Sequence, residues 1–213
     1  MKNNIYSKVF LWMFIGLLVT FLTGVYTSTN IDALEVIFNK GIYWIFAILE
    51  IGLAIFLSAR IHKMSATTAR ITYLLYAFLT GLTFSSIFIV YKISSIMLVF
   101  LVTSILFLIF ALIGHFIKID LTKFGTILMM MLLGVLLCMV INIFLGNETF
   151  DIIISCVSVV IFLGFIAYDI QKIKRLEICL PEENLAVIGA FELYLDFINI
   201  FLDLLRIFGN ADD

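Results

Sequence analysis

The chain has 213 residues, 64% of them apolar and only 13% charged, with a formal net charge of −2 and a mean hydropathy of +1.22. Soluble globular chains run near ~45–50% apolar and ~25% charged, so this one has too little polar surface to coat itself in water and must be solvated by lipid. About seven segments of ~20 residues would use roughly 140 residues, which leaves short loops and excludes a separate soluble domain of useful size. A net charge so near zero, with no basic patch interleaved with aromatics, gives no sign of a nucleic-acid partner, and none is expected.

Seven apolar stretches follow in chain order, at about 9–27, 42–59, 70–91, 94–116, 124–146, 150–168 and 185–208, and they predict one all-α transmembrane domain over 1–213. The first follows Lys2 and Lys8 as the core of a signal peptide would. Its apolar run is too long for one, and Thr23-Gly24-Val25-Tyr26 is no small-x-small cleavage site, so it reads as a retained first helix. The second holds Glu50 and ends at Arg60-Ile61-His62-Lys63-Met64-Ser65. An ionisable residue at bilayer depth costs at least ~2.5–3.5 kcal/mol on insertion scales and needs a partner or an aqueous cavity. Glu50 lies mid-span with no cation one turn away, so it is expected to face the bundle interior. Arg60 reads in two ways: as a cationic anchor at the membrane edge, or as a guanidinium that pairs with a carboxylate of another helix and closes the inner end of a path. His62 and His115 fall near the cytoplasmic ends of spans, where either could tune a pH response, though surface histidines are the commoner case.

The sixth stretch runs into Tyr168-Asp169-Ile170-Gln171-Lys172-Ile173-Lys174-Arg175. Taken alone, Asp169 reads as a solvated helix end paired with Lys172. Pro181 is the only proline and marks the most polar loop. The seventh stretch carries Glu192, Asp196, Asn199, Asp203 and Arg206 at spacings of 4, 3, 4 and 3. At ~100° per residue these fall in one stripe about 80° wide. An amphipathic helix lying on the membrane would be rich in Lys and Arg on its polar face, and this one is acidic. Asp203 and Arg206, at i and i+3, read as an ion pair near the outer interface. Asp196 sits mid-span and is expected to face the bundle. Asp169 and Asp196 come from adjacent stretches, and two such carboxylates can share a proton or offer oxygen ligands to a hard cation.

Ten cations (Lys2, Lys8, Arg60, Lys63, Arg70, Lys118, Lys123, Lys172, Lys174 and Arg175) precede the first stretch or flank the second, fourth and sixth connections, against Lys40, Lys92 and Arg206 on the other side. The positive-inside rule then puts the N-terminus in the cytoplasm and the C-terminus outside. Cys138, Cys156 and Cys179 are odd in number and lack CxxC spacing, so they read as small buried apolar residues rather than a disulfide framework or zinc site. No HExxH, GxSxG or phosphate-cradling motif is present, and the chain does not read as an enzyme.

The run Leu193-Tyr194-Leu195-Asp196-Phe197-Ile198-Asn199-Ile200-Phe201-Leu202-Asp203-Leu204-Leu205-Arg206-Ile207-Phe208-Gly209 resembles the C-terminal signature of the transmembrane Bax inhibitor motif family, in its bacterial, YetJ-like branch. Ala167-Tyr168-Asp169-Ile170-Gln171 resembles its sixth-helix motif, and Glu50 with the segment from Arg60 to Ser65 resembles its second helix. The resemblance implies seven helices, the last one central and wrapped by the other six. It also implies a pH-sensitive calcium leak with Asp169 and Asp196 as the proton-sensing pair, Arg60 as the latch on Asp169, and Glu50 in the path. Glu192 and Asp203 stand where the family more often has small or neutral residues, which makes this seam more acidic. The expected ion path is therefore Glu50, Glu192, Asn199 and Asp203, with Asp169 and Asp196 as candidate calcium ligands. Calcium is expected as the transported ion and not as a resident cofactor. The expected setting is the bilayer of a cell (inner) membrane, and the expected state a monomer. A rival reading keeps the seam as a packing device in a regulatory protein that binds a membrane protease or an apoptotic factor.

Overall fold

A computed structural model of the chain describes residues 5–39 and 42–210; Lys2 and Lys40 of the charge tally lie outside them. The described residues form eight helices: α1 (Ile5–Thr29), α2 (Ile31–Asn39), α3 (Ile42–Arg60), α4 (Ala66–Val90), α5 (Ile93–Phe116), α6 (Thr122–Leu145), α7 (Glu148–Leu176) and α8 (Glu182–Phe208). A 3-10 turn at Ile61–Lys63 prolongs α3. Seven are long and apolar enough to cross a membrane; α2, with nine residues, is not. In lipid every backbone polar group must be satisfied within the segment, and helices do this. The ends are set by local chemistry. Ser65 caps α4 by accepting from the Thr68 N–H at 3.2 Å, and Asn147 caps α7 by accepting from Phe150 at 3.0 Å. Gly146 ends α6 at φ 61°, a left-handed conformation that favours glycine.

The chain packs as two compact units, one of residues up to Lys92 with Cys179–Tyr194, the other of Ile93–Ile178 with Leu195–Asn210. The continuous helix α8 gives its first half to one and its second half to the other.

In the first unit α1 and α4 run parallel with a constant offset: Gly16 meets Tyr73, Thr20 donates to the Ala77 carbonyl at 2.9 Å, and Gly24 meets Gly81. From Gly16 onward the buried stripe of α1 (Gly16, Thr20, Gly24, Thr27) is all small residues, which lets membrane helices approach closely. Tyr73, Tyr76, Phe191 and Tyr194 form an edge-to-face aromatic cluster that seats the first half of α8. One end of this unit is tied by Lys8–Glu182 (3.0 Å), Arg70–Glu183 (3.1 Å) and the Asn184 amide on the Met64 carbonyl (2.9 Å).

In the second unit α5 and α7 cross closely at Gly114, whose hydrogens face the Ala167 backbone. Phe197 packs edge-to-face on Phe100 and Phe107. Gln171 ties the α5–α6 connection by donating to Ile119 O and accepting from Leu121 N, both at 2.8 Å. Arg175 binds Asp120 at 2.7 Å and Thr122 beside it.

Candidate functional site

Charged groups inside the spans occur in several places, in both units. One surrounds Glu50 on α3, in the first unit. Its carboxylate accepts the Thr80 hydroxyl at 2.9 Å and the Thr83 hydroxyl at 2.8 Å. The spacing of the two threonines on α4 puts both on the face turned to α3. Thr20 and the Tyr194 hydroxyl share a 2.6 Å hydrogen bond nearby, and Thr80 is also a neighbour of Tyr194. The sequence-based expectation that Glu50 faces inward holds, and its partners are the hydroxyls of α4 rather than a cation.

Asp169 and Asp196 both belong to the second unit. Both are buried, at 6% and 5% exposure, on α7 and α8. The reading of Asp169 as a solvated helix end is overturned: α7 does not stop near 168 but runs two further turns to Leu176, carrying Asp169 inside. Polar residues end a hydropathy run, but they do not end a ladder of backbone hydrogen bonds. Asn199, one turn past Asp196, is half-buried and donates its amide to the Leu195 carbonyl at 2.7 Å.

Another place lies at the end of α8. Asp203 is 4% exposed and faces Arg206 at 3.4 Å, the ion pair the i, i+3 spacing predicted. The structure adds partners that the spacing alone did not reveal: Arg206 also binds Asp151 at 3.3 Å and the Ser155 hydroxyl at 3.0 Å, both from the start of α7. Beside them an open cavity of about 280 Å³ is lined by Asn142, Gly146, Asn147, Glu148 and Asp151.

The remaining candidates are placed as follows. Arg60 is the last residue of α3 and is exposed; Glu192 is half-buried in the first-unit half of α8. His62 and His115 are exposed, as read from the sequence. The cysteines depart from expectation. All three are free, but Cys156 and Cys179 are exposed and Cys138 only half-buried, because they lie on outward faces of their segments. Among the described residues no three of His, Cys, Asp and Glu converge in a way that would hold a metal ion by themselves. A cation here would draw its other oxygens from carbonyls, hydroxyls or water.

Outside the spans, Asp120 is the group whose acidity is most visibly set by its neighbours. The Thr122 hydroxyl and N–H, and then Arg175, hold its carboxyl below the ordinary range.

The chain also matches known proteins over most of its length. The family model described as inhibitor of apoptosis-promoting Bax1 matches residues 2–213. The inner membrane protein YbhL of Escherichia coli strain K12 is 39% identical over 211 residues, covering 96% of this chain and 90% of the relative. A protein of Borreliella burgdorferi strain B31 is 38% identical over 214 residues (98% and 92%), and a membrane protein of Streptococcus pyogenes serotype M3 is 35% identical over 174 residues (80% and 76%). A whole-length family match, relatives of this identity and coverage, and seven membrane-length helices with carboxylates turned inward lead to one assignment: the chain belongs to the Bax inhibitor-1 family of membrane proteins.

Proposed function

We propose that this protein is a pH-sensitive calcium leak of a cell membrane, with its N-terminus in the cytoplasm and its C-terminus outside. The observation that carries the reading is the burial of two carboxylates, Asp169 and Asp196, in one compact unit on α7 and α8. Ionised carboxylates are expensive at that depth unless a proton, a cation or a hydrogen-bonding shell compensates them. A pair that exchanges a proton for a divalent ion turns that cost into a switch. Arg60, exposed at the end of α3, is the latch that holds Asp169 in the closed form. Glu50, Glu192, Asn199 and Asp203 supply oxygens along the path.

The test is calcium-dye flux into proteoliposomes of the purified protein between about pH 5 and 8, a range that a perturbed carboxylate pair reaches. Flux should follow pH in the wild type and lose that dependence in Asp196→Asn, and Arg60→Ala should raise basal flux. Flux through Asp196→Asn that still tracks pH sinks the paired-carboxylate switch, and no flux at any pH from inserted, folded protein sinks the leak.

A further inference from the structure

An open cavity lies away from every carboxylate discussed above, in the first unit, between α2 and the last turns of α4. It measures about 560 Å³, inside the ~300–1,000 Å³ range of small-molecule sites. Ile31, Leu34 and Phe38 form one wall at helical spacing, and Ile89 and Val90 form the other. Phe38 stacks on Tyr43 of α3 at 5.4 Å, which braces the α2 wall from behind. The Ser86 hydroxyl in the lining donates to the Thr83 carbonyl at 2.8 Å and keeps only acceptor capacity for a guest. The charged group in the lining is Glu35, which is exposed and has no ion-pair partner among the described residues. Asp32, one turn earlier and also exposed, adds a second negative charge to the rim.

Position decides what fills such a groove. α2 joins the end of α1 to the start of α3, and the facing wall is the end of α4, so the groove opens where hydrocarbon gives way to headgroups. A guest there has an apolar tail and a polar head. An acidic rim repels a purely anionic head and attracts a cation with N–H donors.

We propose that this groove is a binding site for a phospholipid with a primary-amine headgroup of the ethanolamine class. Its acyl chain lies between Leu34 and Ile89, and its ammonium rests on Glu35. The site is independent of ion conduction and is read without any flux assay.

The test places the full protein in vesicles of phosphatidylethanolamine and phosphatidylglycerol with a chelator present. The vesicles are doped with phospholipids bearing a photoreactive acyl chain and either an ethanolamine or a glycerol headgroup. Labelled peptides are mapped after illumination. The ethanolamine probe should mark Ile31–Asn39 and the end of α4 above the level seen on the lipid-facing residues Leu133 and Leu137 of α6. It should exceed the glycerol probe by up to about fivefold, the ratio that a surface ion pair supports. Leu34→Trp, which fills the groove, should reduce labelling to the α6 level. Glu35→Gln, an exposed change that leaves the fold alone, should keep the labelling and erase the headgroup preference. Groove labelling no higher than on α6 (ordinary surrounding lipid), equal labelling by both headgroups, or a headgroup preference that survives Glu35→Gln would each overturn the proposal. So would a cross-link from the groove to a second copy of the chain.

Discussion

The contact between α1 and α4 at Gly81 offers a sharp test of the packing argument, because part of what it meets is backbone. A Cβ added at Gly81 of α4 would sit 2.5 Å from Thr23 Cβ and 2.8 Å from the Thr20 carbonyl oxygen of α1. Ordinary contact begins at 3.4 Å, so Gly81→Ala intrudes by about 0.6–0.9 Å. Part of the obstacle is backbone and cannot rotate away, so α1 and α4 must separate. Overpacking of this kind costs about 1–3 kcal/mol. The separation also strains the Thr20 hydroxyl bonds to the Ala77 carbonyl and to Tyr194, and interhelical bonds in membranes average ~0.6 kcal/mol each. The expected loss is therefore about 2–4 kcal/mol, or roughly 30-fold to several-hundred-fold in the folding equilibrium.

The control is Gly52→Ala on α3, where an added Cβ meets nothing within 4 Å. There the helix propensity of alanine should make the change neutral or stabilising by up to ~1 kcal/mol. Unfolding in mixed micelles by increasing SDS, followed by far-UV circular dichroism, measures both. If Gly81→Ala matches the wild type while Gly52→Ala behaves as stated, the close α1–α4 approach is wrong.

Three further outcomes are expected. A double-mutant cycle between Glu50→Gln and Thr83→Ala should return a coupling of ~0.6 kcal/mol, up to ~1.7 for a strong case, and zero coupling would refute the α3–α4 hydrogen bond. Arg206→Ala strands the buried Asp203 and should cost roughly 1–3 kcal/mol, below the 3–5 of a fully buried pair because Arg206 is partly exposed. Adding Asp203→Asn should recover most of that loss in the same SDS titration, and no recovery would mean the pair is not coupled. Asp120 should titrate in a ¹³C-carboxyl NMR experiment in nanodiscs below the ordinary 3.8. Because its folded carboxyl is the stronger acid, its contribution to stability is full above that ordinary value and vanishes as pH falls through the folded one. A midpoint at or above 3.8 would refute the Thr122 and Arg175 contacts.

Much of this was written plainly in the sequence. Seven apolar runs gave seven spans, Glu50 had to turn inward, and the i, i+3 spacing of Asp203 and Arg206 gave their pair. What stayed hidden had physical causes. Asp32 and Glu35 break the apolarity after Thr29, so α2 reads as a loop although Asn30 caps it by accepting the Ala33 N–H at 3.2 Å. Asp151 as a partner of Arg206 depends on two helices meeting across 55 residues of chain, which no local spacing records. The division of α8 between two units is likewise a property of packing. One hidden feature was legible in principle: Gly16-x3-Thr20-x3-Gly24 is a small-residue stripe of the sort that marks close helix pairs in lipid.

The same stripe logic explains why the most charged span is the most hidden. Within its most apolar window α8 is 78% buried, against 6% for α3 and for α6. After Lys123, α6 carries no charge at all, and it can face lipid almost entirely. α3 carries only Glu50 inside the span and satisfies it with two hydroxyls of a single neighbour. α8 carries Glu192, Asp196, Asp203 and Arg206, and no single neighbour can cover four charged groups set along more than three turns. Mean hydropathy does not order the spans this way. The windows of α4 and α8 have the same value, 1.8, yet their buried shares are 50% and 78%. For α8, burial goes with the charged groups that lipid cannot solvate rather than with mean hydropathy. α8 is therefore a helix that cannot be left bare, and Asp196 and Asp203 of its acidic seam are buried.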